Sequence, residues 1–322
     1  MNIKILDCTI RDGGLVNKFD FSDEFVRGLY EACAAAGVDY MEIGYKGSKK
    51  LFNPNEFGAW QFCDEKDIRR IVGNKKLNVK LSVMADAEKT DYHSDILPKT
   101  ESVIDMVRIT TYFHQIPIAI DMIKDAHDKG YETAVNLMAV SLLTEKDIDK
   151  ALRLFCDSEA DVIYLVDSFG SLHIKQARTY ASKYINMAQS VGKSVGIHAH
   201  NNQQLAFANT IESFSLGAKY LDTTVNGLGR GAGNCATELL LGYLDNPKYN
   251  NRAILEFIEK YIVPLRAQGT NWGYDIPYMI TGMMNSHPRS AIEFLNANKK
   301  EYVWFYDHIS EQSRANMHKN AV

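Results

Sequence analysis

The chain has 322 residues, 46% hydrophobic and 24% charged, enough apolar mass for a large core and too much for a disordered or low-complexity scaffold. Its 36 Lys and Arg against 40 Asp and Glu leave a net charge of −4, so no basic surplus exists to neutralise a phosphate backbone and no nucleic-acid partner is expected. No apolar run reaches the ~18 residues of a membrane span. Asp7, Arg11 and Asp12 interrupt the N-terminal segment before the apolar core of a signal peptide could form. The five scattered cysteines, Cys8, Cys33, Cys63, Cys156 and Cys235, contain no C-x-x-C pair, which fits reduced thiols and a cytoplasmic location with no membrane partner.

Eight short β-branched runs alternate with longer amphipathic stretches: Ile3–Asp7, Tyr40–Gly44, Val79–Met84, Met106–Thr110, Thr133–Met138, Val162–Val166, Ser194–His198 and Tyr220–Val225. That alternation predicts βαβ units on a parallel sheet. Between the runs, Ser22–Ala36 reads as a helix with Ser22 as N-cap and Gly37 as its stop. Glu145–Cys156 follows the cap Thr144, and Ile174–Ser190 follows Gly170. A doubly wound open sheet would give a similar pattern. Polar residues of catalytic type gather just after the first, second, sixth, seventh and eighth runs, which favours a (β/α)8 TIM barrel. The expected organisation is a catalytic barrel over 1–245 and a helical C-terminal extension over 246–322 packed on it.

The strongest chemical signal is G-I-H-A-H-N-N, which puts His198 and His200 two apart at a strand end. Alternate strand residues share a face, so both imidazoles would look into the barrel mouth. The spacing suits a divalent metal, although two histidines hydrogen-bonded within a polar strand end would show the same pair. Asp12, in D-C-T-I-R-D-G-G after the first strand, adds a hard oxygen ligand, and Gly13 and Gly14 are expected to turn the backbone closely around the site. One carboxylate and two imidazoles leave coordination positions free, as a catalytic metal requires. Arg11 needs a partner inside a barrel, and Glu42 in M-E-I-G on the second strand is the natural one. The pair either ties two strands together or holds Arg11 as an electrophile at an enolate oxygen. The eighth strand leads into N-G-L-G-R-G-A-G-N, where Asn226, Arg230 and Asn234 sit among four glycines. Such a loop can hold a carboxylate or phosphate, or be only a βα turn.

Together D-C-T-I-R-D-G-G, M-E-I-G, L-V-D-S-F-G, G-I-H-A-H-N-N and G-L-G-R-G-A-G-N, spread from residue 7 to residue 234, resemble the DRE-TIM metallolyase superfamily (HMG-CoA lyase-like), and within it the 4-hydroxy-2-oxovalerate aldolases. The resemblance implies a barrel holding a divalent metal, usually manganese or magnesium, with cobalt or zinc as further options. It implies lyase or aldolase chemistry through the enolate of pyruvate or another 2-oxo acid, with an aldehyde as second substrate. Carried over residue by residue, it makes Asp12, His198 and His200 metal ligands and adds Asn234 at or near the metal. Arg11 stabilises the enolate and Glu42 orients it, while Ser168, Asn226 and Arg230 are substrate-binding candidates and Asp167 a contact or a strand-end cap. A homo-oligomer, a dimer, is implied as well.

Two departures stand out. The family's pyruvate aldolases carry a histidine shortly after R-D-G as general base, where this chain has Leu15, and a tyrosine in a C-terminal helix, where it has Met284 or Asn285. His114 is the first candidate to replace the base, followed by Tyr45, Lys46 and His287. Residues beyond about Gly273 lack the pattern that docks a partner dehydrogenase in the bacterial aldolases, so none is assumed. The competing readings are an acyl-CoA Claisen condensing enzyme of the isopropylmalate synthase type, against which R-D-G-G-L stands in place of R-D-G-E-Q, and a non-catalytic metal-binding barrel.

Overall fold

The computed structural model describes residues 3–73 and 76–320. Eight parallel strands, β1 (Lys4–Asp7), β2 (Tyr40–Tyr45), β3 (Lys80–Asp86), β4 (Met106–Thr111), β5 (Glu132–Leu137), β6 (Val162–Asp167), β7 (Ser194–Ala199) and β8 (Tyr220–Thr223), pair in sequence order, and β8 returns to β1 to close a barrel. The open-sheet alternative is thereby excluded. Around and after the barrel run α1 (Thr9–Asn17), α2 (Asp23–Ala36), α3 (Glu65–Val72), α4 (Tyr92–Asp95), α5 (Ile116–Asp128), α6 (Glu145–Cys156), α7 (Ile174–Ser190), α8 (Ala206–Leu216) and α9 (Thr237–Leu244). The expected caps form: Ser22 Oγ accepts from Phe25 N at 3.2 Å, Thr144 Oγ1 accepts from Asp147 N at 3.2 Å, and Gly37 ends α2 in the left-handed region at φ 75°.

One element departs from the sequence reading. Arg11–Gly14 form no loop; they lie inside α1, and neither glycine has positive φ. The glycines are there for room: a Cβ on Gly13 would stand 2.8 Å from Leu228 Cγ, and one on Gly14 2.1 Å from the Phe19 ring. The start of α1 is set from below by Asp7, whose carboxylate accepts from the Thr9 amide (3.0 Å) and hydroxyl (2.9 Å).

The main core fills the space between strands and helices. A second cluster, Leu6, Tyr40, Met106, Ala134, Val162 and Tyr164, plugs the lower half of the barrel, where the Tyr40 and Tyr220 hydroxyls both donate to Glu132. With that end closed, the cleft lined by Arg11, His198 and His200 lies at the ends of the strands where chains turn into helices, the catalytic face of such barrels.

After Asp245, the left-handed residue that ends α9, come α10 (Asn251–Phe257), α11 (Val263–Ala267), α12 (Ile276–Met283), α13 (Arg289–Asn296) and α14 (Tyr302–Asn320). Ala253, Ile254, Phe257 and Trp272 join the main core, whereas Ile280, Ala291, Phe294, Phe305 and Ile309 form a small core of their own. That second unit lies over the barrel mouth: Asn202 Nδ2 donates to Tyr278 O and Asn285 Nδ2 to Ser141 O.

Candidate metal centre

Arg11 and Asp12 occupy the first turn of α1, directly above β1, and both are buried. His198 lies on β7 and His200 one residue beyond its end, on the same inward face. Since β1 is separated from β7 only by β8, the three groups meet. Asp12 Oδ2 stands 3.2 Å from His198 Nε2 and 3.8 Å from His200 Nε2, and one ligand atom from each falls within 4.8 Å of the others.

Asp12 Oδ2 and His198 Nε2 are buried without a hydrogen-bond partner, as are both amide atoms of Asn234. Asn234 pairs by backbone with His200, and a Cβ on Gly229 would meet Asn234 Nδ2 at 2.1 Å and Asp12 Cγ at 3.4 Å, so the amide and the carboxylate flank one point. Buried polar atoms without partners are costly unless something else satisfies them. Lone pairs from a carboxylate, two imidazoles and an amide are jointly satisfied by a divalent cation of the borderline to hard kind, so the residues fit a metal.

A ladder of buried charge surrounds this cluster. Arg11 Nε bonds Glu42 Oε2 at 2.7 Å, and its Nη1 lies 3.1 Å from Asp12 Oδ2. The other Glu42 oxygen faces Arg108 Nη1 at 2.9 Å, Arg108 Nη2 pairs with Asp222, and the guanidinium stacks 4.2 Å from the Tyr164 ring centroid. Asp222 Oδ2 in turn lies 3.0 Å from His198 Nδ1. An Nδ1–H donated there leaves the Nε2 lone pair facing Asp12, the tautomer a ligand needs.

The electrostatics of Asp12 and His200 agree with that assignment. Burial pushes the Asp12 carboxyl up, but Arg11 and the two imidazoles outweigh it and hold the group well below the ordinary range. Burial drives His200 well below its ordinary value, so it is a neutral donor of lone pairs. His198 shifts up instead, because the carboxylates of Asp12 and Asp222 flank its ring and outweigh its desolvation; a cation held by Asp12 would weaken that pull.

Arg11, His198 and His200 line a cleft at the barrel mouth, together with Leu15, Tyr45, Ser168, Phe169, Arg230 and His287. Ser168 Oγ accepts from the Ala139 amide at 2.9 Å, which leaves its O–H free to donate. Asp167 is a cap: its carboxylate accepts from the Ser171 and Leu172 amides.

Three candidates fall outside the cavity. His114 is exposed on the turn after β4, its ring stacked on Tyr112, because the chain there already heads outward into α5. Asn226 faces the extension, its Oδ1 accepting from Arg266 Nε (3.1 Å) and Nη2 (3.0 Å), so it ties the β8 loop to the helices instead of touching the site. Lys46 is likewise spent on the Cys63 carbonyl, at 2.7 Å. Sequence reasoning missed Arg108 and Asp222. Their signal was a charge in mid-strand, in M-V-R-I-T-T and Y-L-D-T-T, where both faces of a barrel strand are buried.

A closed barrel with this donor set at its mouth has the architecture of a metal-dependent enzyme. The model of the HMGL-like family matches residues 2–257, and the chain belongs to that family. It is 32% identical over 244 residues to an oxaloacetate decarboxylase of Mycobacterium tuberculosis, covering 74% of this chain and 69% of the relative. Over 271 residues it is 29% identical to a 4-hydroxy-2-oxovalerate aldolase of Carboxydothermus hydrogenoformans, covering 81% and 77%. Among solved structures, the N-terminal domain of a Bacteroides vulgatus protein superposes with a TM-score of 0.79 at 28% identity, covering 91% of this chain and 96% of that one. A Bacillus subtilis HMG-CoA lyase shares the fold, with a TM-score of 0.65 at 15% identity over 83% and 94%. Among the described residues no helix is long and apolar enough to cross a membrane.

Proposed function

We propose that this protein is a divalent-metal-dependent carbon–carbon lyase or aldolase acting on a 2-oxo acid, pyruvate or a substituted pyruvate, with Mn2+ as the working ion. The observation that carries the reading is the convergence of Asp12 Oδ2, His198 Nε2 and His200 Nε2 beside a guanidinium that is itself fully buttressed.

Asp12, His198 and His200 would hold the ion, and Asn234 Oδ1 is the remaining oxygen within reach. When bound, the ion supplies a Lewis acid for the carboxylate and carbonyl oxygens of the 2-oxo acid. Arg11 is pinned at Nε by Glu42 and at Nη1 by Asp12, so its remaining N–H groups keep a fixed direction toward the cavity they line. A donor fixed in advance stabilises the negative charge that develops on the enolate oxygen without reorganising during the reaction. Ser168 has a free O–H to offer a substrate oxygen. Three carboxylates, Asp12, Glu42 and Asp222, face two guanidiniums, Arg11 and Arg108, so the ladder carries one net negative charge. That balance favours a cation first and an anionic substrate only after it.

Neither Leu15 nor Met284 nor Asn285 can move a proton, and His114 is turned away, so the hydroxyl proton of an aldol passes through a group in the cavity wall. Tyr45, Tyr112 and His287 are the phenol and imidazole groups that line it besides the proposed ligands. The test is loss of the pyruvate methyl signal in deuterated water with and without Mn2+, read by proton NMR after the ion is chelated. Exchange that needs the ion and disappears in Asp12→Ala is the expected result. No exchange by protein shown to hold one ion would overturn pyruvate enolisation.

A further inference from the structure

The charge in the cavity that the foregoing leaves without a partner is Arg230. Among the described residues no carboxylate pairs with it: Nη2 donates to the Ser168 carbonyl at 3.0 Å, and Nε is buried with no partner at all. Arg11 and Arg108, by contrast, each face two carboxylates. The Arg230 amide lies 3.5 Å from Asp12 Oδ1, so the residue is rooted at the metal centre while its head crosses the cavity to the β6 side.

His287, between α12 and α13, lines the same cavity with its ring 5.6 Å from that of Phe169, the residue after Ser168. Its Nδ1 accepts from the Arg289 amide at 3.1 Å, which places the ring proton on Nε2. That N–H has no acceptor among the described residues. Burial, with the nearby charges of Arg230 and Arg289, holds the imidazole down to about 4, so it is a neutral donor near pH 7. No Asp or Glu is among the residues lining the cavity, and Leu15, Met138, Val166 and Phe169 supply its apolar wall.

A guanidinium with no carboxylate partner, a neutral N–H donor and a lining free of acids form a receptor for a planar anion with two oxygens. We propose that Arg230 and His287 form a subsite for a second carboxylate, so that the 2-oxo acid taken here is a dicarboxylate whose remote carboxylate lies away from the metal. This rests on the 2-oxo acid reading above and adds the substrate class to it.

The test is calorimetric binding to Mn2+-loaded protein of two acids matched in length, 2-oxoglutarate and 2-oxovalerate, which differ in the remote carboxylate alone. The wild-type protein is expected to prefer the dicarboxylate by about tenfold or more, as a hydrogen-bonded charge warrants. In Arg230→Met the ratio is expected to collapse toward one, with Arg230→Lys between the two. His287→Phe lowers it several-fold, and circular dichroism confirms that each variant folds. Equal binding of both acids by the wild-type protein, or a preference that survives Arg230→Met, overturns the subsite and leaves the 2-oxo acid reading standing. Binding of neither acid by protein shown to hold the ion overturns the subsite, and the pyruvate exchange experiment then decides the 2-oxo acid reading by itself.

Discussion

Arg108 tests whether the buried ladder is a working part of the metal centre. It is fully buried, pairs with Glu42 and Asp222, and stacks on Tyr164. Arg108→Met preserves much of the volume but leaves Glu42 with Arg11 alone and Asp222 with no cation but His198 to offset it in the barrel interior. Breaking a buried pair in this way costs about 3–5 kcal/mol, because the remaining charge keeps its desolvation penalty and loses its compensation. At ~2–4 °C per kcal/mol for a large domain, the melting midpoint should fall on the order of 10 °C. The second consequence is specific to the site. Asp222 holds His198 Nδ1 at 3.0 Å, and Arg108 fixes Asp222. Loosening the group behind a ligand typically weakens metal binding by about 10–100-fold. Arg108→Lys, which keeps the charge but not the fork that spans both acids, should fall between. Thermal melts and Mn2+ titrations on the three proteins decide the matter. Wild-type stability together with wild-type Mn2+ affinity in Arg108→Met would refute the ladder, and a stability loss with unchanged affinity would reduce it to a structural tie.

Further predictions follow from single contacts. Arg11→Ala should cut metal-dependent pyruvate exchange by about 10²–10³-fold, as removal of a fixed oxyanion donor does, whereas His114→Ala should leave it at the wild-type rate. Gly229→Ala pushes a Cβ into the Asn234 amide and against Asp12, so Mn2+ affinity measured by titration should drop while the barrel still melts cooperatively. His287 titrates at about 4 in the folded chain against an ordinary 6.5. A base depressed on folding contributes stability above its unfolded value and loses it as pH falls from 6.5 toward 4. Melting midpoints of His287→Gln over that range should therefore decline less than those of the wild-type protein, and equal slopes would contradict the assignment.

The barrel was legible in the sequence because its periodicity is redundant. Every strand is followed by a helical segment, two of the barrel's helices open on the side-chain caps Ser22 and Thr144, and a strand boundary misplaced by a residue or two changes nothing. The Arg11–Gly14 segment was not legible as helix, since two consecutive glycines argue against one on propensity. The structure forms it because Asp7 organises the first turn, while the Phe19 ring and Leu228 occupy the space that side chains at 13 and 14 would need. Tertiary packing overrode local preference there, and only the partners, distant in sequence by up to two hundred residues, show why.

The site divides in the same way. Asp12, His198, His200, Arg11 and Glu42 were readable because their chemistry is unusual at strand ends, while His114 and Asn226 looked equally polar and differ only in where their side chains point. A βα loop of this barrel has two sides, one facing the cavity and one facing the outer helices, and the sequence does not say which side a residue takes. Asn226 has φ 54° and is captured by Arg266, itself stacked 3.6 Å over Trp272; four positions later Arg230 crosses to the Ser168 carbonyl. The loop thus sends one polar residue outward to brace the extension and one inward with an unpaired charge. The extension also supplies His287 to the cavity from the far side. On the proposed reading the barrel supplies the metal ligands, and the β8 loop and the extension together supply the groups that would read the substrate's remote end.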